Sequence, residues 1–307
     1  MELDDELAFF HDDANYIGAL EPTFEPKATD HINDMIDIIS CLIDKDYAYV
    51  AEDNVLFSAN KFSKYGQLSG KNLDDMIAGS RVEVESFKRS SSDFVLWKPS
   101  KSSEPGWESP WGKGRPGWHI ECSAMSEKLL GKNFDIHGGG QDLIFPHHEN
   151  EIAQGSCCSS SDYCNYWFHN GIVLVDKKKM SKSLGNVISV SDILEKENPI
   201  IVRIALMSAH YRQPLNWTQD TLKNSRNIYE KIISSLDIES SIATERDDKF
   251  IDLLCDDLNT PNALQYISKQ ARDAKKDSGV LPKLRYNCGL LGIKSNKNIM
   301  DLSLIHI

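Results

Sequence analysis

Residues 145–151 read Phe-Pro-His-His-Glu-Asn-Glu. Two imidazoles are followed at once by two carboxylates. On a helix, residues four apart share a face, so His147 and Glu151 point the same way and His148 points elsewhere. An imidazole and a carboxylate on one face, joined by a thiolate from a distant element, form a borderline-soft donor set that suits Zn2+. Cys122 is the natural third ligand. Plainer roles exist for the same residues: His147 as a cap or packing group, Glu151 as a solvated carboxylate. The pattern is not that of the metalloproteases, because His148-Glu149 has no second histidine four positions after the first.

Upstream, Gly138, Gly139 and Gly140 follow a strand-like run and precede a helix-like one. In that context backbone N–H groups can approach a nucleotide, although a tight turn is the simpler reading. Asp142 suits ribose hydroxyls or a helix cap. His137 stands at the carboxyl end of the strand, where open α/β sheets bind ligands. Trp118, four residues before Cys122, reads from position alone as core rather than pocket wall. The stretch 177–186, Lys-Lys-Lys-Met-Ser-Lys-Ser-Leu-Gly-Asn, is a cationic loop suited to phosphate charge. A solvated surface loop is its plainer reading.

These residues need a frame to hold them. The chain has 307 residues, 40% hydrophobic and 26% charged, as soluble globular proteins have. No apolar run is long enough to cross a bilayer. The acidic start, Met1-Glu2-Leu3-Asp4-Asp5, is unlike a secretory signal. A net charge of −12 argues against a protein that coats nucleic acid non-specifically. Seven scattered cysteines, without framework spacing, fit a reducing compartment and uncombined thiols.

Apolar spacing predicts a helix over 2–20 and a stronger one over 30–45, with Thr29 as its N-cap. Residues 47–58 predict a hairpin turning at Asp53-Asn54. Residues 86–116 predict an irregular connection around one strand, Asp93–Trp97. A buried strand is predicted over 133–137, a turn over 138–140, then the helix carrying His147, Glu151 and Gln154. A β-rich run spans 166–175. Helices are predicted over 191–208, 218–236 and 246–293, the last broken at Asn259-Thr260-Pro261. An α/β beginning with an all-helical end implies two domains.

Three stretches in this order, 114–125 (Gly-Arg-Pro-Gly-Trp-His-Ile-Glu-Cys-Ser-Ala-Met), 134–154 and 179–186, resemble the cysteinyl-tRNA synthetases, which are class I aminoacyl-tRNA synthetases. The Lys-Met-Ser-Lys-Ser motif marks only the class; the other two mark the cysteine enzyme. The resemblance continues through 28–50, 93–98 and 256–263, as far as about Asp301.

It implies a fold: the second half of a class I Rossmann-type α/β catalytic domain with its insertion, followed by an all-helical domain. The implied boundaries are 1–187 for the partial catalytic domain, with the insertion at about 1–110, 188–217 for a connecting stem, and 218–301 for a helical bundle. Residues 302–307 match nothing in the family.

It also implies roles. Cys122, His147 and Glu151 match the zinc ligands, with one Zn2+ per chain. Trp118 and His137 match the cysteine pocket. Gly138, Gly139, Gly140, Asp142, Met180 and Lys182 match the ATP site, with Mg2+ accompanying ATP. Lys179, Lys182 and Ser183 match the catalytic signature loop. Cysteine, ATP and tRNA(Cys) are the implied partners of a cytoplasmic, monomeric enzyme that needs no membrane.

The family's Cys-Gly-Pro segment, with the remaining zinc ligand, and its His-Ile-Gly-His motif do not occur here. Neither does its anticodon-binding tail. The chain therefore reads as an internal piece of a longer enzyme, inactive by itself in cysteine-dependent exchange of pyrophosphate into ATP. Cys157, Cys158 and Cys164 are expected away from the zinc ligands. Two other readings stay open: the cysteine ligase of mycothiol synthesis, and a zinc-binding module without catalysis.

Overall fold

The structure is a computed structural model describing residues 3–71, 85–159, 161–237 and 244–293. The expected tail at 302–307 lies outside the described residues. Two compact units divide the chain: Thr23–Asn170, and Met1–Pro22 with Gly171–Ile307. The boundary expected near residue 187 falls inside the latter. Among the described residues no helix is long and apolar enough to cross a membrane.

The chain opens with helix α1 (Leu3–Tyr16), which belongs with the C-terminal unit. In the unit Thr23–Asn170, helix α2 (Ile32–Asp44) buries Ile32, Met35, Ile38, Ile39 and Leu42 on one stripe. Thr29 is not its cap. It lies in a 3-10 turn, Ala28–His31, that runs straight into the helix, so no side chain receives the first N–H groups.

Strands β1 (Ala48–Ala51) and β2 (Asn54–Phe57) form the expected hairpin. Its turn is Glu52-Asp53, one residue early, and both adopt left-handed backbone (φ 47° and 61°). Asn54 starts the strand and donates its side-chain N–H to the Glu52 carbonyl at 2.8 Å. Strand β3 (Phe94–Pro99) pairs with β2, and β4 (Gly114–Pro116) pairs with β3, giving the antiparallel order β1-β2-β3-β4. The sequence showed only one strand over 86–116. Gly-Arg-Pro is too short to display alternation.

Helix α3 (Trp118–Leu130) leaves β4 through Gly117. The Gly117 N–H donates to the Leu96 carbonyl at 2.8 Å, and a Cβ on Gly117 would lie 2.1 Å from the Val95 carbonyl oxygen. Lys128 on α3 pairs with Asp34 on α2 at 2.9 Å. Strand β5 (Phe134–Gly140) runs parallel to β6 (Cys164–Asn170), in register from Phe134 opposite Cys164 to Gly140 opposite Asn170. This corrects two expectations. The glycines are strand residues, not a turn, because β6 continues opposite them from Phe168 to Asn170. Nor is the strand buried, since Ile136 is 63% exposed.

A 3-10 turn (Gln141–Leu143) and a wide turn (Ile144–His148), with Phe145 extended, lead into helix α4 (Glu149–Ser159). The cores of α2, the four-stranded sheet, α3 and α4 merge around Leu42, Phe57, Trp97, Ile120 and Ala153. At its edge the sulfurs of Cys41 (α2) and Cys158 (α4) are joined, their Cα atoms 6.0 Å apart. Uncombined thiols were expected; the packing of α2 on α4 is what brings this pair together.

In the other unit, β7 (Val173–Val175) lies between β8 (Lys178–Lys179), antiparallel, and β9 (Leu215–Trp217), parallel. Helices α5 (Val190–Leu194) and α6 (Pro199–Met207) replace the single helix expected over 191–208. Asn198 accepts from Ile200 N–H and Pro199 opens α6, a restart that a continuous reading overlooks. Helices α7 (Gln219–Leu236), α8 (Asp248–Cys255), α9 (Thr260–Ala274) and α10 (Leu281–Leu290) follow. Thr218 caps α7, and the Asn259-Thr260-Pro261 break is the cap of α9. Their core centres on Ile204, Ile232, Phe250, Leu264, Ile267 and Leu284.

Asp257, in left-handed backbone after α8 (φ 53°), accepts from Arg212 Nε at 2.6 Å, Arg212 Nη2 at 3.0 Å and Tyr211 Oη at 2.6 Å. His210 stands 3.7 Å away. The bonds from Arg212 and Tyr211 hold its carboxyl down at about 2, below the ordinary 3.8. The folded state thus binds the proton less readily than the unfolded state. The stabilisation is complete above 3.8 and disappears as pH falls towards about 2. The difference in denaturation midpoint between wild type and Asp257→Asn should shrink across that window. A constant difference would show that the carboxylate charge is not what stabilises the turn.

Candidate functional site

Cys122 lies one helical turn beyond Trp118 on α3, and His147 and Glu151 stand one turn apart where α4 begins. One donor atom from each of Cys122, His147 and Glu151 lies within 4.8 Å of the others. His147 and Glu151 are buried, and Cys122 is half-buried. His147 Nε2 is 2.8 Å from Glu151 Oε1, yet that buried oxygen accepts no hydrogen bond. The two groups converge at ion-pair distance, but not in hydrogen-bond geometry. A carboxylate oxygen left this way is costly unless a positive charge meets it.

Outer partners aim both groups. The Tyr163 hydroxyl donates to Glu151 Oε2 at 2.8 Å, and His119 Nδ1 is 2.8 Å from His147 Nδ1. Such contacts fix ring orientation and ligand basicity around a metal. Burial, with His147 nearby, lowers His119 to about 4. Burial, then Glu151 and Glu121, pushes the Cys122 thiol up to about 12. Only a cation would make it a thiolate near neutrality. Sulfur, nitrogen and oxygen donors around one point therefore fit Zn2+. Gly155 on α4 leaves a notch that the Tyr163 ring fills; a Cβ there would come within 2.5 Å of that ring.

The remaining expected residues of this unit cluster around the same point or beside it. His137 Nε2 is 3.4 Å from Glu151 Oε2. The Trp118 ring centre is 4.5 Å from that of His147, and Trp118 is 62% exposed, so it is not core. Gly138 to Gly140 form the end of β5, and Asp142 is exposed in the next turn. A Cβ on Gly140 would meet Asp142 Oδ1 at 2.5 Å.

The sequence reading passed over His119, His169 and Tyr163, and gave His148 no role. His148, expected to point elsewhere than Glu151, instead brings a donor atom within 4.8 Å of that carboxylate, and its Nδ1 is 2.8 Å from His169 Nε2. Burial, then His137, His169 and His147, lowers it to about 3. The doubled histidine and the Trp118-His119 pair were the available signals. Cys157 and Cys158 sit against α2, as expected. Cys164 does not lie clear: its thiol interacts with the His137 backbone and with the charge of Glu151.

The signature stretch belongs to the unit containing β7–β9 and is built as a clipped loop. Asp176 and Lys177 form its hairpin turn in left-handed backbone (φ 48° and 67°). Asn186 accepts from Ser181 N–H at 2.9 Å and donates to the Lys179 carbonyl at 3.2 Å. Ser181 Oγ is 3.2 Å from Ser183 Oγ. A short 3-10 turn, Lys182–Leu184, ends at Gly185 in left-handed backbone (φ 62°). Lys179, Lys182 and Ser183 are exposed, and Met180 is half-buried.

Residues 3–227 match the model of the tRNA synthetases class I (C) catalytic domain. The chain belongs to that family. The matched span contains every candidate residue from Trp118 to Ser183. Curated relatives named Cysteine--tRNA ligase include that of Rhodospirillum rubrum, 54% identical over 259 residues, covering 83% of this chain and 56% of the relative. Another, from Pelagibacter ubique, is 53% identical, covering 85% and 57%. A third, from Shewanella sediminis, is 49% identical, covering 92% and 65%. The chain thus spans little more than half the length of the first two. Among solved structures, Mycobacterium tuberculosis methionyl-tRNA synthetase in complex with methionyl-adenylate aligns with a TM-score of 0.63 at 13% identity, covering 94% of this chain and 76% of that one. That likeness concerns the fold. Family membership and fold agree on a class I synthetase catalytic domain, with its α/β part followed by helices, as the motifs implied.

Proposed function

We propose that this chain carries the zinc-holding, cysteine-selecting part of a cysteine--tRNA ligase, together with its phosphate-binding signature loop. The observation that carries the reading is the convergence of Cys122, His147 and Glu151, with Glu151 Oε1 buried and unbonded. Cys122, His147 and Glu151 would hold one Zn2+. When bound, the ion supplies a soft Lewis acid for a thiol side chain. Tyr163 and His119 keep Glu151 and His147 aimed. Trp118 and His137 wall the pocket of the cysteine substrate.

Gly138, Gly139, Gly140 and Asp142 receive the nucleoside part of ATP. The family resemblance gives Lys179, Met180, Lys182 and Ser183 the role of binding its phosphates, accompanied by Mg2+. The cysteine carboxylate attacks the α-phosphorus, forming cysteinyl-adenylate and releasing pyrophosphate. A ribose hydroxyl of the 3′-terminal adenosine of tRNA(Cys) then takes the cysteinyl group as an ester, and AMP leaves. No side chain acts as nucleophile; positioning and charge stabilisation supply the catalysis. The reading includes a partial catalytic domain over 1–187, a stem over 188–217 and a helical bundle over 218–301, in a monomeric cytoplasmic enzyme.

Selection follows from acidity. A thiol with pKa near ~8.5 ionises beside a metal far more readily than serine's hydroxyl. Shape alone separates near-isosteres by only about 1–3 kcal/mol. Calorimetry should show cysteine binding to the zinc-loaded protein, no serine binding at the same concentration, and no cysteine binding after chelation. Equal affinity for the two amino acids, or cysteine binding that survives zinc removal, would refute the reading.

Lys182→Ala should weaken ATP binding by roughly 10- to 100-fold, the worth of one charge-assisted contact. Cysteine binding should stay unchanged. Equilibrium dialysis with ATP decides it; an unaltered affinity would remove Lys182 from the phosphate site.

A further inference from the structure

Glu151 belongs to two donor groups. The first is Cys122, His147 and Glu151. The second is His137, His148 and Glu151, again with one donor atom from each within 4.8 Å of the others. The function proposed above uses His137 only as a pocket wall and His148 not at all. The carboxylate is divided between the groups: Oε1 lies 2.8 Å from His147 Nε2, and Oε2 lies 3.4 Å from His137 Nε2. Tyr163 donates to Oε2 and leaves that oxygen a further lone pair.

The second group is built as firmly as the first. His148 and Glu151 are 1% and 0% exposed. His148 is oriented by His169, which stands 2.8 Å from its Nδ1. Gly139 is what admits the ring. A Cβ there would lie 2.7 Å from His148 Cε1 and 2.9 Å from Nε2. His137, more open than the other two, leaves a way in for a small ion.

We propose that His137, His148 and Glu151 form a second divalent-metal site, free of sulfur, joined to the Cys122 group by Glu151 as a bridging carboxylate. Two imidazoles and one carboxylate suit Zn2+, Co2+ and Ni2+. Mg2+ and Ca2+ are disfavoured, since they seek oxygen donors. Because His137 walls the pocket, an ion held there takes up room beside it. Occupation of this site by excess metal therefore opposes binding in that pocket. The inference stands on the convergence of the three residues and does not need the cysteine reading to hold.

Titration with Co2+, followed by absorption, tests it. Thiolate-bound cobalt gives a strong near-ultraviolet charge-transfer band, whereas nitrogen and oxygen donors give only weak visible bands. Wild type should bind a second equivalent that adds visible absorption without adding to the near-ultraviolet band. His148→Gln and, separately, the more accessible His137→Gln should each lose that second equivalent and keep the first. Cys122→Ser should lose the ultraviolet band and keep histidine-dependent visible absorption. If the Cys122 group held no metal, the ultraviolet band would be missing from wild type too, yet the histidine-dependent absorption would persist. Saturation at one equivalent that carries the ultraviolet band, or visible absorption that survives His137→Gln, would overturn the proposal, and the circular dichroism of each variant shows whether it is folded.

Discussion

Cys122→Ser should lower zinc affinity by ~100-fold or more, beyond the range seen when only an outer partner of a metal ligand is removed. Serine keeps the size of the side chain but replaces a soft, ionisable donor with a hard one that stays protonated. Two ligands remain, His147 and Glu151, and two donors hold zinc far less tightly than three. The loss is local, since Cys122 lies half-buried on the face of α3 turned towards α4 and not in the core shared by these helices. Zinc retained after dialysis, measured by elemental analysis, gives the result directly. Trp118 gives a second view. Its ring centre is 4.5 Å from that of His147, so its fluorescence should respond to zinc in wild type and not in the variant. Cys255→Ser, at an exposed thiol ending α8, should leave zinc content unchanged. Full zinc retention by Cys122→Ser would dismiss the thiol as a ligand.

Gly117→Ala should cost about 3 kcal/mol of stability or more, at the upper end for overpacking. The added methyl would stand 2.1 Å from the Val95 carbonyl oxygen and 3.0 Å from its carbon, both backbone atoms. Neither can swing away as a long side chain could. The Gly117 N–H is also bonded to the Leu96 carbonyl at 2.8 Å, so the chain cannot simply move outward. Relief requires parting β3 from the start of α3. Because α3 carries Trp118 and Cys122, zinc affinity should fall along with the denaturation midpoint. Gly289→Ala is the comparison. It lies in α10 with nothing within 4 Å of the new methyl. It should be neutral or stabilising by up to about 1 kcal/mol, the helix preference for alanine. A Gly117→Ala midpoint equal to that of wild type would show that β3 and α3 separate freely.

What the sequence made legible was what neighbouring residues decide. The period of α2, the hairpin of β1 and β2, and the break before α9 rest on local spacing, and all three are present. The His147–Glu151 pair rests on helical geometry over one turn. What stayed hidden depends on partners far along the chain. Strand β4 exists because β3 offers it an edge. The glycines of β5 extend because β6 continues opposite them. His148 turns inward because Gly139 gives it room and His169 receives it. The junction of Cys41 with Cys158 crosses 117 residues and follows from helix packing that no local pattern encodes.

The notch at Gly155 sets the rotation of α4 like a key in a shaft. Tyr163 fills that notch and also donates to Glu151, so one ring fixes the helix at two levels. His147 and Glu151 ride at the start of α4 and swing together when the helix turns about its axis. Their mutual spacing survives such a turn, while their distance to Cys122, on a separate helix, does not. Misalignment of α4 therefore shows first as a loosened sulfur contact, with the imidazole–carboxylate pair still intact. The distance from the thiol to the imidazole–carboxylate pair is thus governed by the torsional setting of a single helix.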